Sequence, residues 1–379
     1  MTDYPCTKAE LNKRRIEKAE REFSMLKTQE LFRTNGWEEA KKFLEELGID
    51  CIHELGPADA QHYWTFDYGI KSPKDHPIVN ECRGLTLNED LDVVRMGFTR
   101  FYNYGETGCE TLDFQDKVWP VSVQEKLDGS IIILTYVPGH GWAAGTRRRM
   151  FPTSKIQGFN MTFAELFWRT FDGPAQPKEG SSIHWFSCVP KVASEKCSEL
   201  DVNYIYVFEL CSRFNRVVLD YPEPELYLLG MRRRQVQIDR NTLCPHDPLQ
   251  EVDDSALDGW AERLKVKRPS NFEFGSEAAV RNWLNHEDHE LKQGSKDLRE
   301  GFVLKQHRQI GESFPVHDSF KRVKIKSAAY IALHNIHSAR SLNNLVKLVL
   351  QDNRDALKNG FQEYLESYDK IRDAFTIWC

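Results

Sequence analysis

The sequence predicts an α+β fold: antiparallel sheets with a helical segment at the N-terminal end and another at the C-terminal end. Three observations predict it. Between Cys51 and Lys326 the chain consists largely of short β-branched and aromatic runs bounded by turn residues. Before that stretch, and again from Ser341 to Trp378, apolar residues recur at helical spacing. The length, 379 residues, suits two domains or one large domain with appendages.

Hydrophobic residues make up 40% and charged residues 28%, values ordinary for a soluble globular protein. A net charge of -6 argues against a generally basic nucleic-acid coat but leaves room for a local basic groove. Nine cysteines with no C-x-x-C pair indicate neither a disulfide framework nor a zinc ribbon. A reducing compartment is therefore expected: cytoplasmic, the host cytosol if the source is viral, with the nucleus left open. No apolar run reaches membrane-spanning length, so no membrane partner is expected. The charged, Glu-rich start of the chain reads as neither a signal nor a transit peptide.

Taken in order, Thr7-Lys8-Ala9-Glu10 fits a capping box and should start a charged helix running to about Phe32. Thr34-Asn35-Gly36 breaks it, and Trp37–Leu47 reads as a second helix with Gly48 just past its end. From Glu81 to Leu87 a strand opens on an arginine and a glycine, with Asp92–Phe98 as its hairpin partner. Val121–Val137 is a strand–turn–strand unit, followed across Pro138-Gly139-His140-Gly141 by the run to Arg149. Thr162–Phe171 is amphipathic and helical; Gly173–Ser182 is a loop. Tyr204–Leu210, Val217–Leu219 and Leu226–Leu229 read as strands, and Asp254–Leu264 and Ser276–Leu291 as helices. Glu300–Gln306 and Phe320–Lys326 return to strand.

The stretch that organises the rest is Glu125-Lys126-Leu127-Asp128-Gly129-Ser130, at the mouth of the apolar run Ile131–Val137. Gly129 is expected to let a bulky ligand approach the backbone. Alone, this is a plain hairpin turn. Its weight comes from Phe208-Glu209-Leu210, Glu300-Gly301-Phe302-Val303 and Lys324-Ile325-Lys326 downstream. A lysine must lose its proton to attack phosphorus, and neighbouring cations or a divalent metal favour the neutral amine. Lys324 and Lys326, two apart on a strand, face the same side and suit that task. Glu209 and Glu300 would hold Mg²⁺ or a ribose hydroxyl. Arginines grip a leaving pyrophosphate, and Arg83, Arg100 and Arg147 are available.

In that order these motifs resemble the lysine-dependent nucleotidyltransferases: ATP-dependent DNA and RNA ligases and mRNA capping enzymes. They are most similar to the RNA ligase 1 family of T-even bacteriophages. The match runs from about Glu81 to His334, through Glu-Cys-Arg-Gly at 81–84, Arg-Phe-Tyr-Asn at 100–103, the Lys126 motif, Val-Phe-Glu-Leu at 207–210, Glu-Gly-Phe-Val at 300–303 and Val-Lys-Ile-Lys-Ser at 323–327. The resemblance implies an α+β nucleotidyltransferase (ligase adenylation) domain of antiparallel sheets. It implies Lys126 as the adenylated nucleophile, Asp128 supporting metal and nucleotide, Glu209 on the ribose and Glu300 on the metal. Lys324 and Lys326 would contact the α-phosphate, and Arg83 and Arg100 the outgoing pyrophosphate. Glu125 would belong to the nucleotide site. Phe208 and Val303 would flank the adenine, although a strand neighbour of Glu209 points the other way, so that Phe208 is alternatively core. The implied cofactors are ATP and Mg²⁺, with Mn²⁺ as a substitute, and the implied partner is RNA with 5′-phosphate and 3′-hydroxyl ends.

The chain departs from the phage pattern after the nucleophile strand, where Thr146-Arg147-Arg148-Arg149 replaces a Ser-Lys-Gly-Ser element. Arg147, Arg148 and Arg149 are the candidate RNA-binding groove, or else a surface charge run. Arg232-Arg233-Arg234 reads as a solvated face; His286-x-x-His289 and His334-x-x-His337 lack a third metal ligand; Cys82 reads as core, and Trp283 and Phe167-Trp168 as packing. The expected organisation is a helical segment 1–50, an adenylyltransferase domain 51–335 and a short helical segment 336–379, as a monomer. The expected function is ATP-dependent joining of RNA ends, as in RNA repair. A GTP-using capping-type guanylyltransferase and a non-catalytic RNA-binding module of the same fold are the alternatives.

Overall fold

The computed structural model describes residues 25–57, 61–172, 195–234, 249–292, 298–308, 318–339 and 368–373. The expected helix from Thr7, the loop at Gly173–Ser182 and most of the C-terminal helical tail lie outside these residues. Helix α1 (Lys27–Glu46) does not stop at Thr34-Asn35-Gly36. It kinks there, because Gly36 alone leaves helical geometry at φ 76°. Its start is capped from afar: the Glu81 carboxylate accepts from the Lys27 and Thr28 amides at 2.9 and 2.8 Å and from the Thr28 hydroxyl at 2.7 Å. Those amides have no partner within the helix, so a distant anion at the positive end of the helix satisfies them.

In chain order there follow β1 (Ile49–Leu55), β2 (His62–Tyr68), α2 (Pro77–Glu81), β3 (Arg83–Asn88), β4 (Val93–Arg95), β5 (Tyr102–Asn103), β6 (Ser122–Lys126), β7 (Ser130–Val137) and β8 (Gly141–Thr146). Then come α3 (Phe163–Asp172), β9 (Tyr204–Cys211), β10 (Glu225–Arg233), α4 (Asp254–Arg263), β11 (Asn271–Phe272), α5 (Glu277–Lys292), β12 (Gly301–His307), β13 (Phe320–Lys326) and α6 (Ala328–Ala339). The strands form three sheets, ordered β1-β2-β3-β4, β10-β9-β7-β8 and β11-β6-β12-β13-β5. All pairings are antiparallel except the short β13–β5 contact. Among the described residues no helix is long and apolar enough to cross a membrane.

Each sheet buries one face under a helix. Phe32, Ala40 and Leu44 of α1 pack with Phe66 and Leu85 of the first sheet and with Cys82 just before β3. Phe167 and Phe171 of α3 pack on Ile132, Leu134, Tyr206 and Phe208 of the second. Val280 and Leu284 of α5 pack on Val123, Phe302, Leu304, Val323 and Ile325 of the third, with Trp283 against them. With the period of two that a strand imposes, the residues between these apolar ones face the other way.

Two expectations fail here. Val217–Leu219 is not a strand, because its amides serve a side chain rather than a ladder, as described below. Arg232 is not on a solvated face. It is 1% exposed, and its guanidinium donates to the Gly97 and Leu249 carbonyls at 2.7 and 2.9 Å. It also pairs with Asp318 and, at 3.4 Å, with Glu251, which Arg322 grips at 2.9 Å. A charge enters the core here because four oxygens surround it. Arg232→Ala would leave Asp318 buried without that partner and should cost about 3–5 kcal/mol of unfolding free energy; chemical denaturation of the two proteins measures this directly.

Candidate active site

The chain leaves the third sheet at Lys126 and enters the second at Ser130, so Leu127-Asp128-Gly129 is the crossover between them. The residue types of the crossover follow from what surrounds it. A Cβ on Gly129 would stand 2.5 Å from the Leu210 carbonyl oxygen and 2.9 Å from the Cys211 sulfur. The close passage of β9 by itself requires a glycine here. Asp128 is 3% exposed. Its Oδ2 accepts from the Val218 and Leu219 amides at 2.7 and 2.6 Å, and its Oδ1 from the Tyr330 hydroxyl at 2.6 Å. With three donors on its two oxygens, Asp128 brackets the crossover to the 218–219 loop and to α6.

The register of the third sheet explains the rest. Lys126, Gly301 and Lys326 are directly opposite one another across β6, β12 and β13, and Gln124, Val303 and Lys324 form the next row. One further row along, Lys305 faces Arg322. With period two, these rows share the face opposite the Phe302 and Leu304 core. They line a cavity of about 240 Å³ closed by Ile131, Glu209 and Leu229 of the second sheet and by Tyr68, Arg83, Phe98, Phe101 and Arg147. Three sheets therefore meet around one space, and Glu125 and Leu127 complete its rim.

Glu300 precedes β12 and is 3% exposed. One of its oxygens lies 2.9 Å from Lys126 Nζ and the other 2.9 Å from Lys326 Nζ. Gly301 makes this approach possible: at φ 144° it takes a backbone that favours glycine, and a Cβ would collide with the Ile325 carbonyl. Glu209 accepts from the Gly129 amide at 3.1 Å. Burial pushes its carboxyl up to about 7, against the pull of Lys126; the charge of Glu300 adds to the rise, and Gly129 and Arg83 oppose it. Burial pulls the Lys324 ammonium down to about 7, helped by the positive charges of Arg83, Lys126 and Lys326. A carboxyl and an ammonium that both change charge near neutrality mark a site fit for proton-dependent chemistry.

Of the residues singled out in the sequence, Lys126, Glu125, Glu209, Val303, Lys324, Lys326, Arg83 and Arg147 line this cavity, and Glu300 ties two of its lysines together. Phe208 does not. It is fully buried on the opposite face of β9, against Phe167 and Phe171, which removes it from the adenine. Arg100 stands outside the cavity: its guanidinium stacks 4.1 Å over Tyr68, which lines it, and donates to the Pro73 carbonyl. The arginine run divides. Arg147 pairs with Asp67 at 3.0 Å and Arg148 with Asp50, while Arg149 is exposed. Acids of the first sheet thus offset two of the three charges, which counts against a continuous phosphate-binding strip. Gln124, Lys305 and Arg322 were not singled out, yet each lies two residues from one that was, on the same face. The Gln124 Nε2 is buried with no hydrogen-bond partner among the described residues. Lys305, held at about 8 by burial and Arg322, pairs with Asp254 at 2.7 Å.

The bracket at Asp128 is testable apart from any ligand. Asp128→Ala strips a charged acceptor from two amides and a hydroxyl and should cost about 2–4 kcal/mol of stability with no nucleotide or metal present. A melting temperature equal to the wild type would show that these three bonds do not hold the crossover in place.

A family profile described as RNA ligase matches residues 81–330. An RNA ligase of Rhodothermus phage RM378 is 24% identical over 370 residues, covering 90% of this chain and 79% of the relative. A protein of Autographa californica nuclear polyhedrosis virus, named "Putative bifunctional polynucleotide kinase/RNA ligase", is 28% identical over 318 residues. That match covers 80% of this chain, which spans only 38% of the viral protein. Among solved structures, an archaeal ATP-dependent RNA ligase aligns over 93% of this chain and 74% of its own, at 14% identity and a TM-score of 0.42. With two thirds of its length inside the family profile, and with the ordered motifs that the sequence carries drawn around one cavity, the chain belongs to the RNA ligase family.

Proposed function

We propose that this chain is an ATP-dependent RNA ligase that joins RNA 5′-phosphate and 3′-hydroxyl ends through a lysyl-AMP intermediate. The observation that carries the proposal is the placement of Lys126 at the sheet crossover, held by Glu300 beside Lys324 and Lys326 in a cavity between three sheets. Lys126 is the amine that attacks the α-phosphorus of ATP; pyrophosphate leaves as the N–P bond forms. An oxygen of the RNA 5′-phosphate then attacks the same phosphorus and Lys126 departs. Last, the RNA 3′-hydroxyl attacks the activated phosphate and AMP leaves. All three are in-line displacements, for which the site needs to supply position and charge.

The residues divide that work by their places. Glu300 orients Lys126 and Lys326 together, so the nucleophile and an α-phosphate contact are set by one group. Lys324, two residues from Lys326, adds a second cation on the same face. Arg83 and Arg147 lie on the first-sheet side of the cavity, where a departing pyrophosphate would be gripped. Val303 and Leu229 give an apolar surface for a base. Gln124, with its unpartnered amide nitrogen, offers a donor that a purine ring nitrogen would accept from. Glu209 remains for a ribose hydroxyl. Among the described residues no three His, Cys, Asp or Glu form a metal-holding group. Glu300 is the carboxylate for Mg²⁺ or Mn²⁺, together with nucleotide phosphates, the usual arrangement for a cation that arrives with its substrate. The donor chemistry agrees, since the mutual repulsion of the buried Glu300 and Glu209 carboxylates would be relieved by a divalent charge. When bound, the metal would neutralise the charge that builds on the phosphates.

Incubation with ATP should add the mass of one AMP to the wild-type protein. Lys126→Ala should show no adduct, yet should seal RNA supplied with a 5′-adenylate, since that step needs no lysine nucleophile. An adduct forming on Lys126→Ala at the wild-type rate would refute the assignment.

The site should also respond to pH in one direction. Lys324 has its ordinary value lowered to about 7, so it carries its charge below pH 7 and loses it above. Glu209, raised to about 7, gains a negative charge over the same range. Both changes weaken the hold on an anion. Without metal, ATP affinity should fall by roughly tenfold or more from pH 6 to pH 8, since the protonated fraction of each group falls about tenfold. Lys324→Arg keeps its charge and should show a shallower fall, leaving the contribution of Glu209; equal slopes in calorimetric titrations would contradict the role of Lys324.

A further inference from the structure

A second opening lies on the other side of Lys324 and Lys326. It is a groove of about 480 Å³ lined by Asn103, Tyr104, Glu106, Arg281, Lys324, Ile325, Lys326, Tyr330, Ile331 and His334. We propose that this groove receives the terminal nucleotide of the 5′-phosphorylated RNA strand, with its phosphate between Arg281 and the two lysines and its base on the Tyr104 wall. The proposal rests on the ligase function proposed above and names where that function's second substrate enters.

Four observations carry it. The groove and the nucleotide cavity have Lys324 and Lys326 in common and no other lining residue. A phosphate brought to these lysines from the groove thus arrives beside the phosphate held by Lys126 from the cavity, as attack of one on the other requires. Tyr104 is 48% exposed, and its backbone is fixed to β13 by a 2.9 Å bond from its amide to the Lys324 carbonyl. The Arg281 guanidinium lies 3.8 Å from the centre of the Tyr104 ring. An aromatic face with a cation beside it is what a single-stranded nucleotide needs, a stacking platform and a phosphate partner. Across the groove Tyr330 and His334 stack with their ring centres 5.9 Å apart, 27° from parallel, and Lys326 Nζ is 5.2 Å from the Tyr330 ring.

The fourth observation concerns Asn103. Its Nδ2 donates to Glu106 at 2.9 Å, which fixes the amide orientation. Its Oδ1 is buried and has no hydrogen-bond partner among the described residues. An idle acceptor on the groove wall suits the 2′-hydroxyl, the donor that distinguishes RNA from DNA. The acids at the groove are engaged. Glu106 accepts from both the amide and the side chain of Asn103 and lies 3.8 Å from Lys74, and Glu277 pairs with Arg281 at 2.9 Å. In the step served here an oxygen of the RNA 5′-phosphate bonds to the α-phosphorus, the N–P bond to Lys126 breaks, and the lysine amine takes up a proton.

The test separates the two halves of the reaction in the full chain. Wild type, Arg281→Glu and Tyr104→Ala are each loaded with labelled ATP, and AMP transfer to a 5′-phosphorylated single-stranded RNA with a blocked 3′ end is followed in single turnover across a salt series. Both altered side chains are on the surface, and Arg281→Lys and Tyr104→Phe are the conservative controls. Adduct formation should match wild type in all, because ATP does not occupy the groove. Arg281→Glu should raise the RNA concentration for half-maximal transfer by tenfold or more and flatten its salt dependence by roughly 0.7 for the phosphate lost. Tyr104→Ala should raise it severalfold, and the conservative variants should restore it. Slower adduct formation in Arg281→Glu would show that the groove holds the pyrophosphate end of ATP, and unchanged transfer in both variants would show that RNA enters elsewhere; either overturns the proposal. Absence of adduct in the wild type would instead overturn the ligase function on which it rests.

Discussion

Everything around the cavity depends on Glu300 lying between Lys126 and Lys326. A carboxylate this buried is costly unless it is paired, and here each oxygen has its own ammonium at 2.9 Å. The pairing crosses β12 at Gly301, so three strands are fixed in register at the point where their chemistry converges. Once that row is set, period two places Gln124, Val303 and Lys324 in the next and Lys305 opposite Arg322 beyond it. Geometry and electrostatics are therefore one constraint: the same ladder that buries Phe302 and Leu304 on one side presents cations on the other.

The density of charge has a second effect. Below the cavity lie two sets of ion pairs: Arg232 with Glu251 and Asp318, Glu251 shared with Arg322, and separately Lys305 with Asp254. Arg322 and Lys305 also line the cavity. An anion bound there would act on groups whose partners reach into the core, so ligand binding and core stability share the same charges. This explains how a chain with a net charge of -6 concentrates positive potential in one place: its acids are spent on holding cations in position.

Much of this was legible in the sequence, and what was not has a common cause. The α+β class, the hairpins and the helices at 254–263 and 277–292 followed from periodicity and turn residues, which are local. The ordered motifs brought Lys126, Glu209, Lys324 and Lys326 into one reading because each carries chemistry in its residue type, and Val303 came with them through the family resemblance. Register is not local. Gln124, Lys305 and Arg322 became visible only when strands were aligned, although stepping by two from Lys126, Val303 and Lys324 would have reached them. The bonds that Asp128 makes could not be read from the sequence, because its partners lie 90 residues away in a loop that resembled a strand and 202 residues away at Tyr330. Arg232 was misread because three consecutive arginines look like a surface, whereas on a strand the middle of a run and its neighbours face opposite ways. Phe208 obeys the same rule: expected beside the adenine with the core as the alternative, it lies in the core because its neighbour Glu209 takes the cavity face.

The cap that Glu81 places on α1 has a consequence for how the chain can be divided. In sequence the N-terminal helix looks like an appendage that precedes the catalytic motifs. In three dimensions the first of those motifs ends the helix electrically, and Arg83 of the same motif lines the cavity. Cutting the chain after α1 would strand a buried carboxylate two residues from an arginine that lines the cavity and uncover Phe66, Leu85 and Cys82. A minimal catalytic fragment drawn at the motif boundary would thus begin with its own foundation removed, and the natural place to start such a fragment is before Leu26, whose side chain is already part of that core.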